Sequence, residues 1–150
     1  MKDKSVPKDF HLLLSHTLEH VCNTYGEEKM VEFLRKMTIA VYRPLIDEIK
    51  TDGLAPLERH LNRIFTIEEG EFELERGRGK LTLKVKRCPA VCFMRENNYP
   101  IFERFCEHTR IVNEAICSET TLSSSVEYDQ MRGKCTQVFN MMKADIWWES

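Results

Sequence analysis

Residues 86–108 read KRCPAVCFMRENNYPIFERFCEH and set Cys88, Cys92, Cys106 and His108 within one short stretch. Such side chains have three uses: a thiolate attacks electrophilic carbon, sulfur and imidazole nitrogen grip zinc, and a protonated thiol fills a core as a small apolar group. Cys88 and Cys92 are separated by three residues, unlike the two-residue spacing of zinc knuckles and redox dithiols, and Pro89 interrupts them. If residues 88–94 extend a strand, Cys88 and Cys92 share one face while Val91 and Phe93 share the other. On a helix over residues 99–117, Cys106 lies at the edge of the apolar stripe beside Asn113 and Cys117. His108 then falls about 160° away from Cys106, too far round for a Cys-His dyad within one helix. Cys135, in RGKCTQVF, opens a later strand. Cys88, Cys106 and Cys135 therefore stand at the ends of expected elements, where a fold can gather them around one hollow; buried packing is the competing reading.

A second motif, HTLEH at His16 to His20, matches the H-x-x-E-H pattern of a zinc-peptidase class, with Glu19 as the water-activating base. Helical projection puts these three side chains away from the Leu14, Leu18 and Val21 stripe, so the expectation is a solvated helix face. The chain lacks a phosphate-binding Walker loop, a dinucleotide fingerprint and a G-x-S-x-G elbow.

The elements that must position the cysteines follow from periodicity. Residues 8–25 carry Phe10, Leu13, Leu14, Thr17, Leu18, Val21 and Tyr25 on one helical stripe, stopped by Gly26. A second helix is expected from Glu27 to Tyr42 with Met30, Phe33, Leu34, Met37 and Val41 inward, ended or kinked by Pro44. A short helix after Pro56 uses Leu57, Leu61, Ile64 and Phe65. At Gly70 the period changes to alternation, and two strands joined at Gly77-Arg78-Gly79 precede the helical stretch 99–117. LSSSVEY and KCTQVFNMM then read as a second strand pair turning near Arg132-Gly133. The order predicts an α+β domain of 150 residues, helical over about 8–68 and mixed over about 70–150, with an antiparallel sheet (hairpin, helix, hairpin) packed against helices.

The net charge of -2 and the alternation of Lys80, Lys84 and Lys86 with apolar residues describe a half-buried strand, giving no electrostatic case for nucleic acid. No apolar run is long enough for a membrane span, and the charged start MKDKSVPKDF lacks the apolar stretch of a secretory signal. The expected location is the cytoplasm, where six cysteines are thiols or ligands rather than disulfides.

Cys88-Pro89, Phe105-Cys106 in a helix, Gly133-x-Cys135 followed by Val138-Phe139, and Tyr25-Gly26 between two helices together resemble the L-2-amino-thiazoline-4-carboxylic acid hydrolase family. The resemblance implies hydrolytic opening of a small cyclic C-N/C-S substrate. Cys106 or Cys88 would be the nucleophile and His108 an acid or base. Arg87 or Arg110 would hold the substrate carboxylate, with Asn113 completing the binding set. The run of a cysteine before a helix, Glu127 on the next strand and Gly133-x-Cys135 also looks like the 4-vinyl-reductase type of small-molecule-binding domain. That resemblance implies a sensing or metal-binding module, with Cys106, Glu127, Cys135 and either Cys88 or Cys92 holding zinc, or four cysteines an iron-sulfur cluster. A third reading is an assembly domain that uses Met141, Met142, Trp147 and Trp148 as a partner surface, for a second copy of the chain among others.

Overall fold

The computed structural model describes residues 7–143. Trp147 and Trp148, named above as a partner surface, lie outside the described residues. The chain is α+β, with helices first. Four helices come in succession: α1 (Asp9–Tyr25), α2 (Glu27–Val41), α3 (Arg43–Asp52) and α4 (Leu54–Ile67). The hairpin β1 (Glu71–Gly77) and β2 (Lys80–Arg87), helices α5 (Pro89–Glu96) and α6 (Glu107–Ser118), and the hairpin β3 (Leu122–Asp129) and β4 (Lys134–Met141) follow. Among the described residues no helix is long and apolar enough to cross a membrane.

The strands form one antiparallel sheet in the order β1-β2-β4-β3. Alternation decides which face is covered. Leu81, Leu83 and Val85 of β2 and Gln137, Phe139 and Met141 of β4 point under the helices, whereas Glu73, Glu75, Lys84, Lys86 and Glu127 are exposed on the other face. Each fully covered Leu or Val contributes roughly 1.5–3 kcal/mol of transfer free energy, so a one-residue register slip would be prohibitive.

Two groups of buried side chains divide the interior. One joins the sheet to α3, α4 and the end of α6 through Ile46, Leu54, Leu57, Ile116 and Phe139. The other joins α1, α2, α5 and the start of α6 through Leu18, Met30, Leu34, Met94, Phe105 and Ile111. Cys88 packs against both.

Several elements depart from the sequence expectation. Residues 88–94 do not prolong a strand: α5 starts at Pro89, because proline at the first helical position gives up an N–H that would be unbonded anyway and brings a helical φ. Residues 103–106 form turns instead of helix, so α6 begins at Glu107 with Cys106 as its N-cap. Helix α1 is also rotated from its expected stripe. It buries His11, Ser15 and Leu18, leaving Leu13 63% and Tyr25 67% exposed. Helix α2 likewise buries Met30, Leu34 and Thr38 while Val41 remains 63% exposed. The polar members of the buried faces are bonded. Ser15 Oγ accepts the Phe102 N–H at 2.9 Å, and Thr38 Oγ1 donates to the Leu34 carbonyl at 2.6 Å.

Candidate functional site

His11 is carried inward by the rotation of α1. Its Nε2 donates to Oε1 of Glu68, the residue that caps the C-terminus of α4, across 57 residues of sequence. Both are nearly out of solvent, at 8% and 7% exposure. A carboxylate at that depth is tolerated only with a bonded partner, so the pair is specified jointly. The backbone that delivers Glu68 is forced: Glu69 adopts φ 63, in the left-handed region, and its N–H returns to the Thr66 carbonyl at 3.1 Å. Gly70 then passes so close to α5 that a Cβ would meet Pro89 Cδ at 3.0 Å and Phe65 Cδ1 at 3.2 Å. That close approach sets Glu68 beside the start of α5, and hence beside Cys88.

His108, in the first turn of α6, donates from Nδ1 to the Phe105 carbonyl at 2.5 Å. The bond fixes the tautomer, leaving Nε2 as the acceptor. Burial holds this imidazole well below its usual range, down to about 4. The bond to Phe105 opposes that shift, and the neighbouring His11 adds to it. His108 is therefore a neutral base at physiological pH.

His11, Glu68 and His108 form part of a wall between two hollows. The larger, of about 450 Å³, is bordered by α1, α2, α4 and α6 with Gln137 of β4 among its lining residues, and opens to solvent beside Phe10 and Val41. Leu14, Met37, Leu61, Ile64, Val112 and Ile116 make it mostly apolar. Tyr42, Asn113 and Gln137 add polar points, and Asn113 Nδ2 donates to Gln137 Oε1 at 2.8 Å. Burial, followed by the charge of Glu68, raises the Tyr42 phenol above its usual range, so it remains a donor.

The smaller hollow, of about 120 Å³, lies between the starts of α5 and α6 and the turn of the second hairpin, and Cys88, Cys106 and Cys135 all line it. The Cys88 N–H donates to the Gly133 carbonyl at 2.8 Å, tying the hairpin turn to α5. Gly133 takes φ +66, where a Cβ would also lie 3.4 Å from Cys92 Sγ. Gln130 holds the other side: its Oε1 accepts the Cys106 N–H at 2.8 Å and its Nε2 donates to the Phe102 carbonyl at 2.9 Å. Neither Gln130 nor the His11/Glu68 pair stood out from the sequence. A polar residue seven positions before Leu18, on the same helical angle, is the signal that His11 carried.

The three thiols are not activated. Burial pushes Cys106 up to about 12, helped by Cys88, Cys135 and Asp129. Burial also pushes Cys88 up to about 11, against the Val91 and Ala90 N–H groups that favour the thiolate. Cys135 is raised by burial against a bond from Gln137. An N-terminal helical position normally lowers a thiol, and here desolvation outweighs it. The hollow is thus lined by neutral S–H groups.

The remaining candidates fall elsewhere. Because Cys106 precedes α6, the helical projection that separated it from His108 does not apply, and both line the small hollow. Asn113 lines the large one. Arg87 is ion-paired with Glu96, and Arg110 with Glu114 at 3.1 Å and Glu107 at 3.4 Å; neither arginine borders a hollow. Glu127 pairs with Thr136 in the β3/β4 ladder and projects from the exposed face, opposite to Cys135. It cannot complete a ligand set with thiols beneath the sheet. Cys92 is buried on α5 and does not line the small hollow. Among the described residues no group of three His, Cys, Asp or Glu side chains is arranged to hold a metal ion. His16, Glu19 and His20 are exposed on α1, as the helical projection expects. Compared with known proteins, the chain matches no family model and no curated protein.

Proposed function

We propose that the chain binds a small, mostly apolar molecule in the cavity between α1, α2, α4 and α6, beside His11, Glu68 and His108. One observation carries this reading. An apolar cleft of about 450 Å³, bordered at its mouth by exposed Phe10 and Val41, lies beside a buried histidine-carboxylate pair. Its size is within the roughly 300–1,000 Å³ of small-molecule sites, and apolar walls with a few convergent polar groups are their usual composition. Six unbonded cysteines suit the reducing cytoplasm as the place of action.

The test is a titration of the full chain with the neutral fluorophore N-phenyl-1-naphthylamine, repeated on Val112→Trp and Ile64→Trp, which fill the cavity from two helices. Saturable binding that weakens at least about tenfold in both variants, with their melting transitions retained, supports the reading. Undiminished binding in the folded variants, or no saturable binding to the unaltered chain, overturns it.

A hydrolytic use of the same interior is favoured by the convergence of Cys88, Cys106, Cys135 and His108 on the adjoining hollow, together with the resemblance to the L-2-amino-thiazoline-4-carboxylic acid hydrolase family. In that use His11, oriented by Glu68, takes a proton from water, and a neutral thiol gives one to the departing ring heteroatom. Ring opening of 2-aminothiazoline-4-carboxylate that falls at least about 100-fold in His11→Ala and in Cys106→Ser supports it. Undetectable turnover by the unaltered chain sinks it.

A further inference from the structure

A third hollow, of about 530 Å³ and open to solvent, lies on the outer side of the large cavity and shares Val41, Tyr42 and His60 with it. The partition between them is a pair of rings. Tyr42 and His60 meet edge-on, with centroids 5.5 Å apart and planes at 84°. A ligand that fills the large cavity and extends into this hollow passes these two side chains.

The outer hollow has a different chemistry. It carries Arg59 and Arg63, one turn apart on α4, beside His60. Both guanidinium groups are in exposed residues with no ion-pair partner among the described residues, although Arg63 Nη2 lies 3.4 Å from His60 Nδ1. The adjacent acid on the helix, Glu58, is engaged by Arg76 at 3.2 Å. Glu48 is the carboxylate lining the hollow, so two arginines outnumber it. Several other surface arginines are matched, Arg43 by Glu119, Arg104 by Glu27 and Glu107 and Arg110 by Glu114, while Arg35 and Arg95 bond Ser118 Oγ and the Gln130 carbonyl instead.

We infer that the ligand of the cavity is an anionic amphiphile, a carboxylate on an apolar chain or ring, whose body fills the inner space and whose head is held outside the Tyr42/His60 partition by Arg59 and Arg63. This rests on the binding reading above and adds the class of ligand to it. Guanidinium forks fit a carboxylate bidentately, and the apolar space on the other side of the Tyr42/His60 pair takes the part of the molecule that water rejects. Because the head stays at the surface, its charge is never desolvated, which is the costly step in burying an acid.

The experiment displaces N-phenyl-1-naphthylamine from the full chain with decanoate, decanol or decyltrimethylammonium, and repeats the series on Arg59→Gln/Arg63→Gln. Exposed charge pairs are modest, so decanoate is expected to displace at least about fivefold more tightly than decanol, with the cation weakest. Added salt should erode that preference, and the double variant should abolish it while leaving decanol unchanged. Equal displacement by decanoate and decanol, or a preference that survives in the double variant, overturns the anionic head and leaves the cavity standing. Failure of all three to displace the fluorophore overturns the amphiphile outright. Absence of fluorophore binding overturns the cavity reading with it.

Discussion

The two hollows on either side of His11 and His108 share that wall, yet they treat protons differently. In the thiol-lined hollow, Cys88, Cys106 and Cys135 have one another and apolar neighbours for company, and burial keeps each of them neutral. At the shared wall the His11 ring has a carboxylate partner and His108 a carbonyl, so each imidazole is oriented. Gathering nucleophile-type residues around a space is therefore not enough to make a nucleophile. A compensating positive charge must come with them, and the charge that acts on Cys106 here is the carboxylate of Asp129, which disfavours its thiolate further.

This contrast can be broken most severely at Glu68. Glu68→Ala leaves the buried His11 ring without its partner and is expected to cost about 3–5 kcal/mol of folding stability, whereas Cys135→Ala should cost about 1 kcal/mol. Denaturation midpoints with unchanged slopes would measure both, and similar losses would erase the distinction. Next in size is an acid limb from His108. Its folded pKa is depressed from 6.5 to about 4, so the unfolded chain takes up the proton first. Stability from this residue is complete above about pH 6.5 and is lost as pH falls towards 4, by at most about 3 kcal/mol. His108→Gln should flatten that limb, and an unchanged profile would show that another group sets it.

The thiols sharpen the comparison through reactivity. Raised from 9.0 to about 11, Cys88 should react with iodoacetamide near neutral pH roughly 100-fold more slowly than a free thiol. Cys106 should react more slowly still, and mass mapping of the alkylated sites reads both. Rapid labelling of either would place an unrecognised cation beside the hollow. The smallest expected effect is at the turn that delivers Glu68: Glu69→Gly relieves a φ of 63 and should raise stability by about 1 kcal/mol.

Much of this arrangement was legible in the sequence because the signals were local. Both hairpins announce themselves by alternation and by glycines at Gly79 and Gly133, and the first two helices by their periodic apolar residues and by Gly26. The helix α5 was hidden because Pro89 reads as an obstacle between two cysteines, although at the first helical position it is an advantage. The site itself was hidden for a tertiary reason. A stripe calculation ranks Leu13 above His11, and that ranking reverses when Glu68, distant in sequence, supplies the partner that lets histidine be buried. Nor does any pattern of residues announce a cavity: Leu61, Ile64 and Val112 read as ordinary core, and their failure to meet in the middle is a property of how four helices are spaced.

The measurement that reaches the central claim most directly is methyl NMR of the full chain titrated with N-phenyl-1-naphthylamine. Occupation of the cavity predicts saturable shifts at Leu61, Ile64, Val112 and Ile116, with Leu13 on the exposed side of α1 unmoved. Shifts confined to Leu13 and other surface methyls, with the four interior residues silent, would contradict it.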